Sequence, residues 1–151
     1  MTPFRIVLSA LALAAGASVA FAQEATPIDV VRPFYETIGS ETDPANRDRF
    51  ADPARTILDD NDALAKSGQG YCLDPGLALD NAAYDADELK ASLKLQENVE
   101  GDQAKVVSSF KLGGEPHRMQ WMLKKVDGAW KIADVLSVTG EWSLSQYNCK
   151  A

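Results

Sequence analysis

The chain has 151 residues, of which 46% are hydrophobic and 25% charged, and its formal net charge is −7. This length suits a single domain with one hydrophobic core. Because an acidic chain repels phosphate backbones and anionic membrane surfaces, the charge argues against a nucleic-acid partner.

The first 22 residues have the pattern of a secretory signal peptide. Arg5 precedes an apolar run from Ile6 to Val19, and Ala20-Phe21-Ala22 supplies the small residues of a cleavage site. The apolar run is shorter than the roughly 20 residues of an ordinary membrane span, so we expect no stable membrane anchor. We predict cleavage before Gln23, which leaves one domain at residues 23–151 in the periplasm or outside the cell. Of the 15 basic side chains, 14 then remain against 22 acidic ones, a formal charge of −8.

The predicted mature chain begins with a helix. Thr26 has the position of an N-cap, Pro27 that of the first helical residue, and Asp29 places an acid in the first turn. Apolar residues then recur at helical spacing. Pro33 should kink this helix because it removes one backbone hydrogen bond, and Gly39 should end it.

Further helices are predicted by two Asp-Pro signatures. Asp43-Pro44 predicts a short helix, and Asp52-Pro53 predicts a longer one that ends near Lys66. The longer helix carries three acidic residues without the central Gly and closing Glu of a calcium loop, so we interpret them as a solvated face. These residues are Asp59, Asp60 and Asp62.

Period-two alternation replaces the helical spacing after a short helical turn near Lys90. Apolar residues alternate with polar ones from Leu93 to Val99 and from Ala104 to Leu112. The segment from Arg118 to Ser137 alternates on both sides of Asp127-Gly128, a dipeptide typical of a tight hairpin turn. We therefore predict an α+β fold, with N-terminal helices packed on one face of a curved C-terminal four-stranded antiparallel sheet.

Three segments carry a family resemblance. They are Leu73-Asp74-Pro75, Asn81-Ala82-Ala83-Tyr84-Asp85 and Trp130-Lys131-Ile132-Ala133-Asp134. With the order of helices and strands, they resemble the nuclear-transport-factor-2-like superfamily of cystatin-like cones, and more closely an exported bacterial branch of unknown function. The resemblance implies a conical α+β domain. It does not imply one activity, because the superfamily includes isomerases, dehydratases, ligand carriers and interaction domains.

Both cysteines, Cys72 and Cys149, lie in the predicted exported part of the chain. Thiols pair in an oxidising compartment, and two cysteines allow one connectivity. We predict a disulfide that ties the C-terminal tail to the segment after the long helix. The chain lacks C-x-x-C redox spacing, and two cysteines with one histidine are few ligands for a metal site, so we expect neither a metal nor a cofactor.

Asp134 is the main candidate for a functional side chain. Strand alternation places it in an apolar row with Trp130 and Ile132, facing the concave side of the sheet. A carboxylate buried there has a raised pKa and can act as a general base. The structural alternative is a carboxylate held by backbone groups or a tyrosine, or solvated at the mouth of the cone. The ligand-pocket candidates are Asp134, Tyr35, Tyr84, Trp121, Phe110 and Ser108.

Two other kinds of residue complete the candidates. His117 follows Pro116 in a predicted loop, and we interpret it as a solvated side chain. Trp142 and Tyr147 lie beyond the last predicted strand. A solvent-exposed aromatic segment that is held by a disulfide can form a surface for binding a partner.

Three functional hypotheses follow. The first is a non-catalytic periplasmic domain that binds a small apolar ligand or a cell-envelope protein. The second is a cofactor-free isomerase-like or dehydratase-like enzyme in which Asp134 acts with Tyr35 or Tyr84. The third is an inhibitor or immunity-type protein of an envelope hydrolase. A cone filled by Trp121, Phe110 and Leu136 favours interaction, whereas an open cavity favours a ligand or an enzyme.

Overall fold

The computed structural model describes residues 24–150, so the predicted signal peptide and its cleavage site lie outside the described residues. The α-helices are α1 Pro27–Val31, α2 Pro33–Glu36, α3 Ala54–Lys66 and α4 Ala86–Ser92. Short 3-10 helices occupy Pro44–Arg49, Leu77–Leu79 and Leu144–Gln146. Within residues 24–150, no helix is long and apolar enough to cross a membrane.

The strands form one curved antiparallel sheet in the order in which they follow along the chain. They are β1 Lys94–Glu100, β2 Gln103–Leu112, β3 Glu115–Val126, β4 Ala129–Ser137 and β5 Trp142–Ser143. The four predicted strands are confirmed, and β5 adds a short fifth one beside the end of β4. Asp127 and Gly128 form the β3–β4 turn with φ angles of 51° and 81°, as the hairpin prediction requires.

The hydrophobic core lies between the helices and one face of the sheet, which confirms the predicted α+β class. Val31 of α1 and Phe34 of α2 are fully buried. The Phe34 ring stacks on Trp121 of β3 with the ring centroids 5.5 Å apart. Burial of each such side chain contributes roughly 1.5–3 kcal/mol. The short helices are therefore held by packing on the sheet more than by their own length.

The start of α1 is formed as predicted. The Thr26 hydroxyl accepts from Asp29 N, and the Asp29 carboxylate accepts from Thr26 N at 2.9 Å, which makes a capping box. The backbone hydrogen bond from Thr26 is the main reason that the pKa of Asp29 is lowered. The predicted kink at Pro33 appears as a break between α1 and α2.

The long helix α3 begins one residue later than predicted. Pro53 is its N-cap and Ala54 its first helical residue. Asp52 does not cap the helix backbone, because its carboxylate accepts from the Thr56 hydroxyl at 2.7 Å.

The acidic face of α3 is not purely solvated. Asp59 and Asp62 lie 2.9 and 2.6 Å from the guanidinium of Arg47, which is buried. A buried charge needs such partners, so these ion pairs attach the first 3-10 helix to α3.

Candidate functional site

Four of the ligand-pocket candidates meet in the core. Ser108 and Trp121 have 0% exposed surface, and Tyr35 and Phe110 are also buried. The hydroxyls of Tyr35 and Ser108 share a short hydrogen bond, and Trp121 Nε1 donates to Tyr35 Oη at 3.1 Å. These side chains pack against one another and fill the concave side of the sheet below α2.

The polar groups of this cluster are hydrogen-bonded to one another, as is usual for polar side chains in a protein core. Burial raises the pKa of the Tyr35 hydroxyl and outweighs the hydrogen bonds from Ser108 and Trp121, which lower it. Tyr35 is therefore a neutral hydroxyl at physiological pH, able to accept from Trp121 and donate to Ser108. The hydrogen bonds offset the cost of burying three polar side chains.

The predicted orientation of Asp134 is wrong because β4 contains a β-bulge. The register with β3 shifts between Met122 and Leu123, and Ala133 is left without a partner. One extra residue reverses the faces of all residues beyond it. Val135 therefore takes the buried position, and Asp134 lies opposite the exposed Met122.

Asp134 has backbone partners, as the structural alternative supposed. Its Oδ1 accepts from Val135 N and from Ser145 N, both at 2.9 Å. Ser145 belongs to the last 3-10 helix, so the carboxylate attaches the C-terminal segment to β4. The bulge also turns Leu136 to the outer face. Asp134 and Tyr35 lie on opposite faces of the sheet and do not form the acid–tyrosine pair of the enzyme hypothesis.

Tyr84 does not join the core cluster. It is half exposed and lines a surface groove of about 610 Å³ beside α2 and α4. Tyr35 borders the same groove, but its hydroxyl is engaged with Ser108 in the core. The second predicted tyrosine is therefore separated from the only predicted acid by the sheet.

The predicted disulfide is confirmed. Cys72 and Cys149 are bonded, with their Cα atoms 5.4 Å apart and a sequence separation of 77. The bond fits an oxidising compartment. Trp142 and Tyr147 are half-buried, and their rings pack edge to face with centroids 6.2 Å apart. Their role as a partner surface stays a prediction.

The prediction of a solvated His117 is wrong. His117 lies on β3, and its Nδ1 is 3.1 Å from Oδ2 of the buried Asp80 carboxylate. Phe110 stacks on the imidazole with ring centroids 5.8 Å apart, and Trp142 Nε1 donates to Asp80 at 2.8 Å. The approach is so close that a Cβ on Gly140 would lie 2.5 Å from Asp80 Oδ1. This cluster joins β3 and β5 to the loop before α4.

Glu41 is a second buried carboxylate, and it was not predicted from the sequence. Its Oε1 accepts from Ala78 N at 2.6 Å, and its Oε2 has no hydrogen-bond partner among residues 24–150. Burial raises the pKa of Glu41. The side chain holds the 3-10 helix Leu77–Leu79 in place.

A groove at one end of the sheet gathers three cations. It encloses about 810 Å³ beside α4 and the adjoining ends of β1, β2 and β3. Ser109 pairs with Lys94 on one side and with Arg118 on the other, so these residues form one row across three strands. Lys111 follows on the same face of β2. We call this the cationic groove, defined by Lys94, Lys111 and Arg118.

The cations of the cationic groove are exposed and unpaired. In the described part of the chain, none of the three lies within 4.0 Å of a carboxylate oxygen. Glu88 of α4 also borders the groove, but its two carboxylate oxygens accept from Gly113 N and Gly114 N, each at 2.7 Å. Ser92 Oγ accepts from Lys111 N at 2.9 Å. The wall of the groove is thus fixed to the β2–β3 turn.

The cationic groove was not predicted from the sequence. Lys94, Lys111 and Arg118 come from three strands, and only the pairing register shows that they are neighbours. The sequence shows only that each of the three occupies a polar position in the period-two pattern of its strand. Among residues 24–150, no group of three or more His, Cys, Asp or Glu side chains is arranged to hold a metal ion.

The comparisons with known proteins show a likeness of fold. No protein-family model matches the sequence, and neither does any curated protein sequence. The structure is similar to a chain in the crystal structure of the type VI native effector-immunity complex Tae3-Tai3 from Ralstonia pickettii. The TM-score is 0.51 and the identity 22%, over 82% of this chain and 98% of that chain.

A second structure of the same complex, with selenomethionine, gives a TM-score of 0.48 and 20% identity over 74% of this chain and 91% of that chain. These identities show a shared fold alone. The resemblance to the nuclear-transport-factor-2-like superfamily stays a prediction.

Proposed function

We propose that the chain is an exported immunity-type protein that binds a protein effector in the cell envelope and blocks it. The observation that carries the proposal is the likeness to a chain of an effector-immunity complex, which extends over 98% of that chain. This was the third hypothesis from the sequence. A small exported chain with a disulfide has the format that such a protein needs in an oxidising compartment.

The interior of the fold supports an interaction protein. Tyr35, Ser108, Trp121 and Phe110 occupy the space in which a conical domain would hold a small ligand. Asp134 is turned away from that space by the bulge. These four buried side chains therefore contribute to stability, and the outer surface remains for binding a partner.

The proposal is tested in the bacterium that encodes the chain. Deletion of its gene should lower survival at least tenfold in surface co-culture with the parent strain, because the deletion strain no longer blocks the parent's effector. The full chain, expressed at its native level, should restore survival. Equal survival of the deletion strain and the parent in this co-culture would contradict the proposal.

A leaderless version tests the compartment. A chain that starts at Gln23, after an added initiator, should fold but should not protect against an effector that acts outside the cytoplasm. Equal protection by the leaderless and full chains would place the blocked effector in the cytoplasm. The disulfide gives a parallel readout, since thiol labelling of unreduced protein should find no free cysteine in the exported form.

A further inference from the structure

We infer that the cationic groove is where the partner binds, and that the bound part of the partner is an acidic segment. The identification of the partner as an effector rests on the proposed function. The groove itself is a feature of the chain, and its chemistry can be tested separately.

The grouping of the cations supports this inference. Among residues 24–150, five of the 14 cations have a carboxylate or backbone carbonyl oxygen within reach, and three of the other nine line this one groove. Lys94, Lys111 and Arg118 are gathered in one concavity without such a partner. The cations with partners include Arg47, Arg55 and Lys125 in ion pairs and Lys124 and Lys131 on backbone carbonyls.

The shape of the groove favours a peptide segment. A volume of about 810 Å³ lies in the range of concave ligand sites, roughly 300–1,000 Å³. Pro116 supplies apolar contact, while Ser109 and Thr139 supply hydroxyls. Carboxylates of a partner can accept charge-assisted hydrogen bonds from the cations, and the field speeds association. The remaining groups suit the backbone and apolar side chains of a protein.

The wall of the groove is ordered before binding. Glu88 holds Gly113 and Gly114, and Ser92 holds Lys111 N, so α4 and the β2–β3 turn form one unit. A preorganised site loses less conformational freedom on association than a mobile loop does. The groove can thus bind a segment without rearrangement of the sheet.

The experiment compares two triple variants with the same change in net charge. The groove variant is Lys94→Glu, Lys111→Glu and Arg118→Glu. The control variant is Arg32→Glu, Lys66→Glu and Lys150→Glu, three exposed cations outside the groove. Both variants should fold, since all six side chains are exposed, and circular dichroism and thermal unfolding check this.

In cells, the deletion strain is complemented with wild type, groove variant or control variant at the native level. We expect the control to restore survival fully and the groove variant to leave it at least tenfold lower. Full protection by the groove variant would overturn the inference while the proposed function stands. Failure of wild type to protect would overturn the proposed function. A binding assay would then test separately whether the groove binds an acidic segment.

That assay uses a fluorescent hexaglutamate peptide with the purified mature chain. Wild type and control should bind it with equal affinity, and the groove variant at least tenfold more weakly. Binding should weaken with salt, because the Debye length falls from about 10 Å at 0.1 M to about 3 Å at 1 M. Equal binding by all three proteins, or no binding by wild type, would overturn the inference. Retention by phosphatidylglycerol vesicles without peptide binding would assign the groove to lipid and also overturn it.

Discussion

Replacement of Tyr35 by Phe should destabilise the fold without opening a ligand site. The change removes the hydroxyl that bonds Ser108 Oγ and accepts from Trp121 Nε1 at 3.1 Å. Ser108 is fully buried and loses a partner, while Trp121 Nε1 keeps only a contact of 3.4 Å to Ser108 Oγ. A buried polar group left without its partner costs about 1–3 kcal/mol, so we expect a loss of about 2 kcal/mol in unfolding free energy.

A double-mutant cycle shows whether the hydroxyls act together. Ser108→Ala alone should cost about 1.5 kcal/mol, because the Tyr35 hydroxyl then loses its acceptor. Tyr35→Phe with Ser108→Ala leaves Trp121 Nε1 as the unsatisfied group and should cost about 2.5 kcal/mol. The double variant is thus expected to lose about 1 kcal/mol less than the sum of the single variants.

Urea unfolding followed by tryptophan fluorescence measures these differences. Tyr84→Phe is the matched control, since Tyr84 is half exposed and its hydroxyl has no hydrogen-bond partner among residues 24–150. It should change the unfolding free energy by less than about 0.5 kcal/mol. Strict additivity of the two core substitutions, or a Tyr35→Phe effect as small as that of Tyr84→Phe, would refute the reasoning.

Three further predictions concern stability. Replacement of Cys72 and Cys149 by Ser opens a loop with a sequence separation of 77, and chain entropy alone gives a loss of about 4.5 kcal/mol in urea unfolding; a loss below about 1 kcal/mol would contradict this. The pKa of Glu41 is higher in the folded state than its unfolded value of 4.5, so protonation of this carboxyl stabilises the fold. The stabilisation is complete below pH 4.5 and is lost as the pH rises through the pKa of the folded state. Wild type should therefore lose stability relative to Glu41→Gln above about pH 4.5, and parallel pH profiles would exclude this linkage. Asp134→Asn keeps the acceptor for Ser145 N and should cost about 1 kcal/mol less than Asp134→Ala, whereas equal costs would rule out that hydrogen bond.

The features predicted correctly from the sequence depend on near neighbours or on simple counts. The cap at Thr26 and the break at Pro33 involve residues within one helical turn of each other. The hairpin at Asp127 follows from a dipeptide that adopts positive φ. The disulfide followed from compartment and the number of cysteines. Each of these needs no knowledge of which distant segments meet.

The wrong predictions concern side chains whose positions depend on contacts between segments that are distant in the sequence. Asp134 does not lie in the apolar row because Ala133 is an extra, unpaired residue of β4. Period-two alternation in the sequence does not indicate where such a bulge occurs. His117 is paired with Asp80, which lies 37 residues earlier in a loop without regular periodicity. Ser108 did show a local signal, since a serine in a buried apolar row requires a polar partner, but its partner on α2 was not identifiable.

The charge of the whole chain and the charge of the cationic groove act at different distances. At physiological ionic strength the Debye length is about 8 Å, so a long polyanion such as nucleic acid extends beyond the field of the groove over the rest of a chain with a net negative charge. A short acidic segment places its few carboxylates within contact distance of Lys94, Lys111 and Arg118. The net charge of −7 therefore selects against polyanions, while the local excess of cations accepts a segment of limited length.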